Sequence, residues 1–149
     1  MTDCNNERIE LLSSGLLEGV AKIEVSSFSE PWSEKALSYL LSGDNFGVVL
    51  LVGDEPVAYG GVSAVIPDGD ITNIATLPSY RRRGYGERVV SEIIREAKKR
   101  GVENLYLEVR GSNVAAIELY LKLGFVAVGE RKNFYSAPRE DAVLMKRKL

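Results

Sequence analysis

The chain of 149 residues has no histidine, one cysteine and one tryptophan. Without histidine, the commonest general base and the commonest metal ligand are both missing, so proton chemistry falls to carboxylates, tyrosines or water and no metal site is expected. A single thiol, Cys4, cannot close an internal disulfide. The longest apolar run, Val48 to Val52, is far too short to cross a bilayer. The opening MTDCNNERIE lacks the basic start and apolar stretch of a secretory signal, so a cytoplasmic protein with no membrane association is expected. Excess positive charge is missing too: the net charge is −2 and the isoelectric point about 5.3, so no global field draws the chain to nucleic acid.

What is present is an ordinary globular composition, 45% hydrophobic and 27% charged, without repeats or low-complexity segments. Its length predicts a single domain over residues 1–149. Residues 16–27 and 33–42 read as two helices, broken at Pro31 and restarted at Ser33 as N-cap. Alternation then predicts a hairpin of strands 46–52 and 57–66 around the turn GDEP, with PDG (67–69) turning into a strand over 70–76. From Gly86 to Arg100, Val89, Val90, Ile93, Ile94 and Ala97 repeat at helical spacing, and Gly101 ends that helix. A strand at 104–110, a helix at 113–123 and strands near 125–134 and 140–148 complete the chain. Strand, helix and strand over 70–110 form a β-α-β unit, which makes its two strands parallel.

At the carboxyl end of the first of those strands lies YRRRGYGERVV, residues 80–90. A helix beginning there aims unpaired N–H groups and its positive dipole end at the loop, and Gly84 and Gly86 admit an oxyanion close to the backbone. On spacing alone the segment is equally well a solvated charge run beside a tight turn. Two familiar phosphate loops are excluded: Val89 stands where a dinucleotide fingerprint needs its third glycine, and Gly-Lys-Ser/Thr is missing.

Arg81-x-x-Gly84-x-Gly86 between a strand and an amphipathic helix, followed by LEVRGSNVAAIELYLKLGF, resembles the Gcn5-related N-acetyltransferase (GNAT) superfamily. PWSEKAL, RKNFY and EDAVLM extend the resemblance over nearly the entire chain to the RimI type, the ribosomal-protein-alanine N-acetyltransferases. It implies the α/β GNAT fold: a mixed, mostly antiparallel sheet with a central parallel strand pair that splays apart, flanked by helices. It implies acetyl-CoA as co-substrate. Backbone amides from Arg82 through Arg83, Gly84, Tyr85 and Gly86 to Glu87 would hold its pyrophosphate, with Arg81 bracing the loop. The backbone of Ile74, Ala75 and Thr76 would line its pantetheine arm, and Asn113 would contact it unless that residue is simply an N-cap.

The implied reaction moves an acetyl group to the N-terminal amine of a protein, the resemblance pointing to the alanine terminus of a small-subunit ribosomal protein. Glu108 takes the role of base, and Tyr120, also beside the cofactor, that of acid to the departing sulfur. Read without the family, Glu108 is a solvent-facing or arginine-paired charge, a reading its interior strand argues against, and Tyr120 is core packing. Trp32, Phe134 and Tyr135 are candidate acceptor contacts; Phe134 departs from the family's usual tyrosine, and Thr76 replaces a common valine. Cys4, in a polar segment with no histidine to activate it, makes a covalent acyl-enzyme a poor alternative to direct transfer. The alternatives are a lysine or small-amine acetyltransferase, and a non-catalytic acyl-CoA-binding module. Oligomeric state is not legible.

Overall fold

The computed structural model describes residues 6–149; Cys4, set aside above as a nucleophile, lies outside them. Seven strands form one sheet: β1 (Glu7–Leu11), β2 (Phe46–Val52), β3 (Glu55–Val65), β4 (Asp68–Thr76), β5 (Asn104–Arg110), β6 (Val126–Ser136) and β7 (Arg139–Lys148). Their order across the sheet is β1-β2-β3-β4-β5-β7-β6, antiparallel everywhere except between β4 and β5. Four α-helices accompany them among the described residues: α1 (Leu17–Ser27), α2 (Glu34–Leu37), α3 (Tyr85–Lys99) and α4 (Val114–Lys122). None of the helices among the described residues is long and apolar enough to cross a membrane.

The period-2 pattern of β2 explains the layering. Val48 and Leu50 face a core shared with Val89, Val90, Ile93 and Ala97 of α3, while Val49 and Leu51 face a second core with Val20 and Ile23 of α1 and Leu37 of α2. Each fully buried Val or Ile on the α3 stripe contributes roughly 1.5–3 kcal/mol. The sheet is thereby clamped between helices on both faces, with the site at its middle.

Two expectations need correction, and one strand was not expected. The acidic opening segment supplies β1, an edge strand whose Ile9 pairs with Leu50. The helix expected over 33–42 is one α turn, Glu34–Leu37, followed by a 3-10 turn at Ser38–Leu41. There Ser38 and Ser42 hydroxyls donate to the Lys35 and Tyr39 carbonyls, competing with α-helical continuation. Finally β4 begins at Asp68 rather than residue 70, because the turn from β3 is confined to Ile66 and Pro67.

Two irregularities in β4 shape the centre. Pairing with β5 is limited to Asp68–Asn104, Gly69–Leu105 and Asp70–Tyr106, after which the two strands run on without joining. On its other edge, Gly60 pairs with Ile74 and Val62 with Ile71, so Thr72 and Asn73 both stand opposite Gly61 in a bulge. The strand therefore turns away from β5 just where its final residues, Ile74 to Thr76, begin.

Candidate active site

Beyond that parting, Ile74, Ala75 and Thr76 of β4 line a cleft of about 360 Å³ together with Arg81, Asn113, Ala116, Ser27 and Phe28. Five of these were expected from the sequence. Ser27, Phe28 and Ala116 were not; Ala116 precedes Tyr120 by one helical turn, which is the signal that could have found it. Arg81 braces this end of the cleft. Its Nε donates to the Thr76 carbonyl at 2.9 Å and its Nη2 to Ser27 Oγ at 3.4 Å, joining the end of β4 to the end of α1. Asn113 caps α4, its Oδ1 accepting from the Ala116 N–H at 3.2 Å, while also facing the cleft.

The loop before α3 is held in an unusual backbone shape. Arg82 has φ 65°, left-handed for a residue with a side chain, and Gly84 has φ 79°. Gly84 is the N-cap of α3 with no side chain capping it, so the first N–H groups of the helix keep no acceptor from a cap. A Cβ placed on Gly84 would meet nothing within 4 Å, and one on Gly86 only Leu119 Cδ2 at 3.9 Å. The protein's own packing therefore does not demand glycine at Gly86. An open backbone surface at the positive end of a helix suits a pyrophosphate, and the loop fits the acetyl-CoA that the sequence implies.

The side chains around the loop do other work. Arg83 turns back, its Nη2 donating to the Ser79 carbonyl at 3.3 Å and its guanidinium lying 5.0 Å from the Tyr80 ring centre. Tyr85 is buried, and its hydroxyl donates to Glu7 Oε2 at 2.5 Å; only its main chain is free to meet a ligand. Glu7 also pairs with Arg88 at 2.6 Å, so the unexpected strand β1 anchors the first turn of α3. Glu87 pairs with Lys122 of α4 at 3.0 Å.

A second cluster forms around Tyr135. Its phenol is pushed upward by burial first and by the Glu108 carboxylate second, with the Arg110 guanidinium opposing; Arg110 stacks 4.3 Å from its ring. Tyr135 in turn raises Tyr120, whose phenol is pushed up to about 12, chiefly by burial. Glu108, Tyr120 and Tyr135, separated by 12 or more positions in sequence, thus share one neighbourhood. Tyr120 packs edge-on to Phe125 at 5.9 Å, so its ring does core duty as well. Glu108 is not free: Oε2 lies 2.9 Å from Arg131 Nε, the arginine partner that its interior strand had argued against. The reason is that β6 lies just beyond β7, with Arg131 opposite the small Ala142, and its side chain reaches over to β5. Phe134 is half exposed and edge-on to Tyr135 at 5.0 Å. Trp32 lies on the α1–α2 loop, which meets the β6–β7 hairpin where Ser136 Oγ donates to Glu30 Oε1 at 3.4 Å. Among the described residues no group of three acidic or cysteine side chains converges as metal ligands would.

Comparison with known proteins agrees with this geometry. The model of the acetyltransferase (GNAT) family matches residues 17–125. The ribosomal protein bS18-alanine N-acetyltransferase of Salmonella typhimurium is 36% identical over 139 residues, 92% of this chain and 94% of that protein. A putative enzyme of the same description from Bacillus subtilis is 35% identical over 87% of each chain. The crystal structure of the ribosomal-protein-S18-alanine N-acetyltransferase from Escherichia coli superimposes with a TM-score of 0.88 at 35% identity, covering 95% of this chain and 93% of that one. A cleft at parted strands, an uncapped helix behind a glycine loop and this likeness along the whole sheet agree: the chain belongs to the acetyltransferase (GNAT) family and is an N-acetyltransferase similar to its RimI-type members.

Proposed function

We infer that the chain acetylates the N-terminal α-amine of a protein, with the N-terminal alanine of a small-subunit ribosomal protein as its target and cytoplasm as its compartment. The observation that carries this reading is the gathering of Glu108, Tyr120 and Tyr135, with Tyr120 one helical turn beyond Ala116, which lines the cleft with Ile74 to Thr76. The named relatives support this acceptor: they are described as bS18-alanine N-acetyltransferases, one of them putative, and match this chain over most of its length.

Acetyl-CoA, when bound, supplies the acetyl group as a thioester. Arg82 to Glu87 offer main-chain amides to its pyrophosphate, and Ile74, Ala75 and Thr76 offer backbone groups along its arm. A peptide α-amine has a reference pKa of about 7.7–8.0, so near neutral pH most of it carries a proton and cannot attack. Glu108 receives that proton, directly or through water, and Arg131 balances its charge until the acceptor's ammonium arrives. Tyr120 keeps its proton, with its phenol at about 12, and so remains a hydrogen-bond donor that protonates the departing sulfur as negative charge builds on it. Phe134, Tyr135 and Trp32 form the acceptor wall, Phe134 offering an apolar face.

The test is mass gain on peptides beginning with Ala, Ser or Met, and on acetyl-Ala-Lys, incubated with the protein and acetyl-CoA. One acetyl group on the free termini and none on acetyl-Ala-Lys is expected. Transfer to the lysine peptide alone would reject the α-amine assignment, and no transfer to any peptide would reject peptide acetylation altogether.

A further inference from the structure

Glu24 is the one charged side chain fully buried among the described residues, and the chemistry above does not use it. Burying a carboxylate away from water costs several kcal/mol unless donors compensate. Here three do, each from a different segment. The Trp32 N–H donates to Oε1 at 2.8 Å, Asn73 Nδ2 donates to Oε2 at 2.9 Å, and the Tyr59 hydroxyl donates to the same Oε2. Burial and the facing carboxylate push the Tyr59 phenol well above its usual range, so it stays a donor.

The placement of those donors matters more than their number. Asn73 occupies the β4 bulge, immediately before the residues that line the cleft. Trp32 belongs to the α1–α2 loop, whose Phe28 lines the same cleft and whose Glu30 meets Ser136 beside Tyr135. One carboxylate therefore joins the strand on the cofactor side to the loop on the acceptor side. We propose that Glu24 is a positioning residue, which sets the spacing between the loop that carries Trp32 of the acceptor wall and the strand that lines the cleft, and so governs how well an acceptor terminus is seated. Its reach is the essential property: the carboxylate spans from the Trp32 N–H to the Asn73 amide, and a side chain one methylene shorter cannot hold both.

The proposal rests on the α-amine reading above, and two variants with two readouts keep them separable. Glu24→Asp keeps the charge and shortens the reach; Glu24→Gln keeps the reach and one oxygen for the Trp32 N–H, its amide donating to Tyr59 Oη and to a flipped Asn73. For an Ala-initiated peptide, Glu24→Asp is expected to raise KM at least about tenfold, with kcat within about threefold and acetyl-CoA affinity within about twofold. Glu24→Gln is expected to recover most of that loss, and hydrogen exchange over residues 28–33 is expected to be faster in Glu24→Asp than in wild type. Unchanged acceptor KM in Glu24→Asp, equal impairment in both variants, or a loss confined to acetyl-CoA affinity would overturn it. Should Glu24→Asp fail to fold, the wild-type Trp32 amide decides: protection matching α1 supports the tether, free exchange overturns it. If wild type acetylates no peptide, the functional reading fails, while the exchange comparison still judges the tether.

Discussion

Arg131 Nε sits 2.9 Å from Glu108 Oε2, so the carboxylate proposed as the base is held by a cation from a strand that is not its neighbour. More than half of the Arg131 side chain remains in solvent, at 55% exposure. Such a pair contributes about 0–1 kcal/mol to folding. Glu108→Gln is therefore expected to leave thermal stability within a few degrees while lowering kcat by on the order of 10². Calorimetric melting and steady-state rates measured on one preparation check both halves, and a fully active variant would remove Glu108 from the chemistry.

Tyr120→Phe keeps the ring against Phe125 and loses only the hydroxyl. The expected result is a drop in kcat on the order of 10² with acetyl-CoA affinity unchanged by titration calorimetry. The wild-type profile carries a second signature. A phenol held at about 12 stays protonated throughout the accessible range, so Tyr120 imposes no alkaline decline below about pH 10. A decline near pH 8 that disappears in Tyr120→Phe would contradict this.

Gly86 has room for a side chain as far as the protein is concerned, its added Cβ meeting only Leu119 at 3.9 Å. Gly86→Val is expected to weaken acetyl-CoA binding at least about tenfold, with a melting temperature lowered by no more than a few degrees, because the side chain obstructs a ligand rather than the core. Normal affinity in this variant would count against the loop as the pyrophosphate site.

Glu7 has its carboxyl held below the usual 4.5, first by the Tyr85 hydroxyl and then by Arg88. A depressed carboxylate contributes stability that is fully present above its unfolded value and is lost as pH falls through the folded one. The loss therefore begins near the ordinary carboxylate value and continues below it. Glu7→Gln is expected to be less stable than wild type at neutral pH and to lose less stability than wild type as pH drops from about 5 to 3. Urea midpoints at several pH values measure this, and parallel curves for the two proteins would refute it.

The parallel pair, α3 and the glycine loop before it were legible because each carries a local signature: a period, a stop, a glycine with no Cβ. Strand β1 was missed although Ile9 and Leu11 alternate with Arg8 and Glu10, since five residues of edge strand are too few to stand out from a polar tail. Within the site, Glu108 and Tyr120 came from a motif, whereas Arg131 reaches Glu108 only through the order of three strands, which no local pattern encodes. Glu24 did leave a trace. It follows Val20 by one helical turn and stands where the apolar stripe of α1 calls for a hydrophobic residue, a conflict between pattern and chemistry that often marks a site.

Past Asp70, the edge of β4 that looks toward β5 meets no neighbouring strand, although the opposite edge is laddered to β3 on both sides of its bulge. Main-chain donors and acceptors are thus left unspent in the middle of a sheet, where they are otherwise confined to its rims. A guest bearing amides of its own can complete the ladder from outside, recognised by peptide-like groups instead of by side chains. Such a guest reads the backbone path, so what Thr76 must preserve is the bend of the strand, while Ile74 answers also to the core its side chain packs against.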